Sequence, residues 1–329
     1  MSSATPRQIP PERRMGSRAA EALLHGIVAA TVVMVLLPAQ RVRAPETRLR
    51  FWLLAMALPV TATPLYWLLA PWRHSERFRD DWALFSASHL APWTLHGVPL
   101  ANAVAELLAL AGAILFLRDV IPFALDLALG RAAKRALLSV PAALTQAAGR
   151  CAAALGMGLP RLSVIESKHP ILLCRGLRNP VIVASTGLCE MVAPDELEAC
   201  IAHEMAHAKQ RDPVLGWVLM VVRGICFFNP AVQLAARAAA REIERRADQS
   251  AARTVGSAEP VVRTMRKLSG SDSATPERAL TWHGFRLAVI EQRCHALLHD
   301  PLPDAKAQSM WILAVAAIGL GVILFLTVA

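Results

Sequence analysis

Four long apolar runs separated by charged stretches dominate the pattern of this chain. They cover residues 22–39, 51–71, 98–117 and 310–328. Each is long enough, or nearly so, to cross about 30 Å of hydrocarbon as a helix. The pattern therefore predicts three spans near the N-terminus and a fourth near the C-terminus. The first run has no small-x-small cleavage site after it, so it reads as a span and not as a cleaved leader. Trp52 and Trp67 are expected as interface anchors, and Glu106 in the third run is expected to face the bundle interior. Residues 214–228 are apolar but short and interrupted by Arg223, which predicts a core helix or one lying against the bilayer.

Between the third and fourth spans the period changes. Residues 118–150 read as one or two helices. Three short runs, Leu162–Glu166, Ile171–Cys174 and Val181–Thr186, read as strands parted by Gly and Pro. A helix then opens at Pro194 with Asp195, Glu196 and Glu198 at its positive end. Leu197, Ile201 and Met205 give it an apolar stripe at i, i+4, i+8. Asp212-Pro213 suits the start of another helix. Residues 240–248 and 281–299 read as helical, 254–280 as loop-rich with a helical piece at 259–268, and 1–18 as disordered.

Composition agrees with a membrane protein. Hydrophobic residues make up 55%, and the net charge is +10, carried mostly by arginine. That balance suits anionic headgroups. No zinc finger or basic–aromatic interleaving is present, so no nucleic-acid partner is expected. The six cysteines all fall between the third and fourth spans without a CxxC pair, which suggests a reducing compartment.

The chemistry is concentrated in His203-Glu204-Met205-Ala206-His207, an HExxH string. Residues four apart on a helix share a face, so His203 and His207 can grip one metal ion. Glu204 projects from the adjacent face, where it can take a proton from water. About forty residues on, Glu244 and Asp248 again lie four apart. Glu244 can complete a His-His-Glu zinc site with an open position, the form of a hydrolytic centre. Asp248 can accept the spare ring N–H of a ligand histidine. Glu242 is the rival ligand, although it lies about 200° around the helix from Glu244. A solvated run of i,i+4 ion pairs is the bland reading of the same acidic residues. Asp212 can cap its helix or support the site.

HEMAHAKQRDP, FFNP at 227–230 and EIERRAD at 242–248 together resemble the HExxH…ExxxD gluzincins of the bacterial membrane. The nearest pattern is that of the BlaR/MecR-type peptidases; HtpX/CAAX-protease-like gluzincins are the near runner-up. The strand-like run at 176–183, Thr186-Gly187-Leu188, and Glu291 to Leu298 also resemble that family. The resemblance covers about residues 98–328. It implies a multi-pass α-helical membrane protein with an α+β zincin (gluzincin) domain inserted between the third and fourth spans. The expected parts are a basic tail at 1–21, three spans at 22–117, a metallopeptidase domain at 118–308 and a last span at 309–329. The resemblance implies that His203, His207 and Glu244 bind zinc and that Glu204 is the general base of a zinc endopeptidase.

An oxyanion donor is also needed. The sole tyrosine, Tyr66, lies in the second span, so His283, His169, Arg241 and Arg245 are the candidates. A substrate strand is expected to add to the edge of the 181–186 strand. Cysteine placement and arginine content put the zinc domain on the cytoplasmic side of the bacterial inner membrane. The N-terminal Arg7, Arg13, Arg14 and Arg18 argue the other way, and the loop with Arg41, Arg43, Arg48 and Arg50 agrees. The antibiotic sensors of this family continue into an extracellular penicillin-binding domain; this chain stops one residue after its fourth run, so direct β-lactam sensing is not expected. Expected partners are a protein or peptide substrate, the lipid bilayer, and a transcriptional repressor or separate sensor protein. Two other readings stand beside this one: an HtpX-like quality-control protease, and a non-catalytic signalling or scaffold protein with a structural zinc.

Overall fold

Each of the four apolar runs lies largely in a helix. The computed structural model describes residues 11–83, 94–95, 98–130, 137–175, 181–270, 287–299 and 310–327. The runs fall in α1 (Pro11–Ala39), α2 (Pro45–Leu69), α4 (Leu100–Gly130) and, last in the chain, α12 (Met310–Thr327). A short α3 (Glu76–Asp81) and a hairpin of β1 (Thr94–Leu95) and β2 (Val98–Pro99) separate α2 from α4. Among the described residues, Glu21–Ala39 is the stretch long and apolar enough to cross a membrane, and Ala314–Leu326 is a shorter apolar helix. Residues 11–18, expected to be disordered, begin α1 instead; Pro11 suits a first helical turn.

The chain divides into two compact units. The first comprises Met1–Phe116, Val222–Ala239 and Ala307–Ala329. Here α1 packs on α2, and α12 packs on both. Buried Arg73 joins them: its Nη1 lies 2.6 Å from Glu21 Oε1, and its Nε and Nη2 donate to the Phe325 and Leu324 carbonyls. Those carbonyls belong to the last turn of α12, which has no intrahelical donors for them. Buried Asn229 caps the next long helix through Oδ1 and donates to the Ala22 carbonyl of α1 at 3.0 Å.

Two side chains in this unit depart from expectation. Trp52 is buried rather than placed at an interface, whereas Trp67 is exposed. Glu106 is exposed instead of facing inward. The packed side of α4 is marked by Gly112, where a Cβ would meet the Phe228 carbonyl carbon at 2.5 Å. Glu106 lies six residues earlier, about 240° around the helix from that contact.

The second unit comprises Leu117–Val221 and Ala240–Lys306. Its sheet contains β3 (Leu137–Leu138), β4 (Arg161–Ile165), β5 (Leu172–Arg175) and β6 (Val181–Ser185) in the order β3-β4-β6-β5. β6 runs parallel to β4 and antiparallel to β5; β3 is antiparallel to β4. β6 is therefore central and cannot accept a substrate strand. The sheet edge that packs against the HExxH helix is β5.

Buried Ser185 ends β6 and caps α6 (Thr186–Met191), its Oγ accepting from Leu188 N–H at 3.1 Å. The same oxygen accepts from Ile171 N–H at 2.8 Å and donates to the His169 carbonyl at 2.7 Å. Gly187 follows, with its N–H on the Ser167 carbonyl at 2.8 Å. A Cβ there would come within 2.2 Å of the Lys168 carbonyl oxygen.

The core beneath this sheet is formed by α5 (Ala142–Leu155), α7 (Pro194–Lys209), and α10 (Glu259–Gly270) with α11 (Leu287–His299). Leu197, Ile201 and Met205 are all buried, as their spacing predicts. Next to α7 in sequence lie α8 (Asp212–Ile225) and α9 (Pro230–Val255). Val214, Trp217, Val218, Val221 and Ile225 form an exposed apolar stripe on α8. The stripe does not fit the core-helix expectation.

Candidate metal centre

The HExxH string occupies the last two turns of α7. Pro194 sits in its first turn, and the Ala193 N–H donates to Glu196 Oε2 at 2.8 Å. Lys267 of α10 holds the same carboxylate oxygen at 2.8 Å. Together with Arg263, Lys267 keeps the Glu196 carboxyl below its usual range although burial works the other way. The N-terminal half of the helix is thus fixed to its neighbours before the histidines begin.

One turn apart on α7, His203 and His207 bring their Nε2 atoms within 3.0 Å. Glu244 of α9 stands opposite, with Oε2 3.6 Å from His203 Nε2 and Oε1 3.5 Å from His207 Nε2. A tetrahedral ion with bonds of about 2.0–2.1 Å needs its ligand atoms roughly 3.3 Å apart. The three side chains meet that spacing and form the His-His-Glu group that could hold a metal ion. Glu242, the rival, points elsewhere and takes Arg245 Nη1 at 3.5 Å. Glu244 and Asp248 are buried, so the solvated-face reading does not apply to them.

The outer nitrogens explain how the rings are aimed. His203 Nδ1 lies 3.1 Å from Asp248 Oδ1, and His207 Nδ1 lies 2.8 Å from Asp212 Oδ2. A carboxylate accepts only, so each Nδ1 carries a proton, and both Nε2 lone pairs face Glu244 once His203 gives up its second proton. Two lone pairs at 3.0 Å repel unless a cation lies between them. Burial works against a charged His203, but Asp248 and Glu244 outweigh it and push its pKa up to about 10. The field that holds a second proton there also suits a divalent ion.

Asp212 is the first residue of α8, after Arg211, whose carbonyl accepts from the Val214 and Leu215 N–H groups. The Asp212 carboxylate goes to His207 and Arg246, so it orients His207 rather than capping the helix. Arg211, at φ 57°, makes this possible by turning the chain sharply after Gln210. Half-buried Glu204 lies beside the cluster. Burial raises its pKa, His207 and His203 pull it back, and Glu244 adds to the rise. A raised carboxyl next to two imidazoles suits proton transfer near neutral pH.

Two arginines went unassigned in the sequence. Arg246 donates to Asp212, and Arg293 of α11 donates to Asp248 through Nε at 2.8 Å and Nη2 at 2.6 Å. Each histidine is thus backed by an aspartate, and each aspartate by an arginine. Of the oxyanion candidates, Arg241 and His169 are exposed, Arg245 bonds Glu242, and His283 lies outside the described residues.

Residues 158–275 match the family model described as BlaR1 peptidase M56. The protease HtpX homolog of Methanocaldococcus jannaschii is 30% identical over 84 residues, which cover 25% of this chain and 29% of that protein. The protease HtpX homolog of Moorella thermoacetica is 39% identical over 66 residues, covering 19% and 22%. That of Thermococcus kodakarensis is 36% identical over 72 residues, covering 21% and 24%. The aligned stretches span less than a third of these relatives' length. Residues 158–275 are thus similar to the BlaR1-type M56 peptidase domain, and a shorter stretch of the chain is similar to the HtpX proteases.

Proposed function

We propose that this protein is a membrane-embedded zinc endopeptidase. The observation that carries the reading is the convergence of His203, His207 and Glu244, with Glu204 beside them. His203 and His207 would hold the ion through Nε2, and Glu244 through its carboxylate. Bound zinc supplies Lewis acidity toward water and the scissile carbonyl. Glu204 accepts a proton from the attacking water and delivers it to the leaving amine. Asp248 and Asp212 keep the two imidazoles in the tautomer that leaves Nε2 free. Arg241, Arg245 and His283 remain the proposed oxyanion donors.

The substrate strand adds to the free edge of β5, whose Cys174 lies close enough for its backbone N–H to lower the Glu204 pKa. Four apolar helices anchor the chain in the bacterial inner membrane, with the metallopeptidase domain, 118–308, inserted between the third and fourth and facing the cytoplasm. The substrates are cytoplasmic or membrane-proximal proteins, including a transcriptional repressor acting downstream of a separate sensor. HtpX-like quality-control proteolysis is the second reading, favoured by the named relatives.

Glu204→Gln tests catalysis directly. The variant is expected to bind zinc as the parent does and to lose peptide hydrolysis by about 10²–10⁴-fold. Unchanged cleavage overturns the assignment. A surviving cellular phenotype together with lost cleavage favours a scaffold. Comparing the proteomes of cells carrying either form separates a single repressor from many damaged membrane proteins.

A further inference from the structure

Arg293 sits on α11, beyond the residues matched by the family model, and is nearly buried with 9% side-chain exposure. Its guanidinium serves two carboxylates at once. Nη1 lies 3.1 Å from Glu244 Oε2, while Nε and Nη2 take both oxygens of Asp248. Asp248 Oδ1 is shared, because it also accepts from His203 Nδ1. Glu244 and Asp248 are four residues apart on α9, so one flat donor group from a neighbouring helix can span them. Only arginine offers several N–H groups in fixed directions; a lysine would be a single point charge.

Electrostatic attraction does not explain a cation in this place. A guanidinium beside an ion site weakens the site's pull on a dication through charge alone. Direction explains it. Both Glu244 oxygens lie within 3.6 Å of a histidine Nε2, so the carboxylate is placed to bind an ion through either or both.

We propose that Arg293 is a positioning residue: it occupies Glu244 Oε2, so that Glu244 offers the ion only Oε1, and it clamps Asp248 onto His203. The proposal rests on the zinc reading above. One-oxygen binding by Glu244 keeps a corner of the ion open for water and substrate.

Cobalt(II) in place of zinc tests this without any assay of cleavage. Visible ligand-field bands are strong for a four-coordinate cobalt ion and weaker when a carboxylate binds through two oxygens. The full chain in detergent micelles is loaded with cobalt as the parent, Arg293→Gln, Arg293→Lys and Glu244→Ala. Arg293→Gln is expected to bind cobalt with bands roughly twofold weaker per bound ion, and Arg293→Lys to fall between it and the parent. Glu244→Ala is expected to lose most binding. Unchanged band intensity and position in folded, fully loaded Arg293→Gln would reduce Arg293 to a staple between helices and overturn the proposal. If Arg293→Gln fails to fold, a parent-like spectrum from Arg293→Lys at full loading overturns it equally. A parent chain that binds neither cobalt nor zinc overturns the zinc reading itself, which separates the two failures.

Discussion

His207 and Asp212 are only five residues apart, yet they meet across a helix break, Nδ1 to Oδ2, at 2.8 Å. The carboxylate of the first residue of α8 thereby sets the direction of a proposed zinc ligand. Asp212→Asn keeps a residue suited to a helix start but removes the negative charge. Zinc affinity is expected to fall about 10–100-fold, and the thermal midpoint of the metal-free protein to fall as well, because half-buried Arg246 loses an ionic partner. Competition with a chelating dye measures the first, and circular dichroism the second. Unchanged affinity would confine Asp212 to pairing with Arg246.

Arg211 occupies the left-handed region that makes this turn. A side chain there costs roughly 1–2 kcal/mol relative to glycine. Arg211→Gly is expected to raise or preserve the thermal midpoint, whereas Arg211→Val lowers it and weakens zinc binding because Asp212 is no longer delivered. A melting series in the presence and absence of zinc checks both.

Zinc binding should release a proton. In the folded metal-free protein His203 holds its second proton up to a pKa of about 10, well above its ordinary 6.5. Because the folded value is raised, this proton stabilises the metal-free fold fully below pH 6.5. That contribution disappears as pH rises through about 10. Zinc added between those limits takes the place of the proton. Calorimetry in buffers of different ionisation enthalpy should report about one proton released per zinc near pH 8 and fewer above pH 10. Equal heats in all buffers at pH 8 would contradict it.

Much of the site can be read without coordinates, because it lies on helices with a known period. His203, His207 and Glu204 follow from HExxH on a helix, and Glu244 separates from Glu242 by helical phase together with Asp248, the acidic partner four residues on that Glu242 lacks. Asp212 stays ambiguous in the sequence because its second role depends on the φ angle of Arg211. Arg293 is harder still: one arginine among many, it meets Asp248 across 45 residues of chain. Strand order is not legible from the pattern: Val181-Ile182-Val183-Ala184 is apolar throughout, yet its burial alternates, and only pairing with both β4 and β5 makes β6 central. Glu106 was assigned inward by cost alone; the packed face of α4 is set by Gly112, whose importance shows only when Phe228 is placed against it.

Gly187 offers a test of the sheet's far side. Alanine there would force Lys168 away and is expected to cost about 1–3 kcal/mol of stability. Chemical denaturation of the detergent-solubilised protein measures it. A neutral result would mean that the segment before β5 yields easily.

Three backbone groups from two stretches of chain hang on the single oxygen of Ser185. Deleting that atom, the smallest of changes, strands two buried amides and removes the donor of the His169 carbonyl. The rim where a peptide would be laid down is then held at Ile171 only by the Ser185 N–H on its carbonyl and loosens at that end. Turnover of an extended substrate could thus fail with every metal ligand intact, a lesion that inspection of the zinc-binding motif would never reveal.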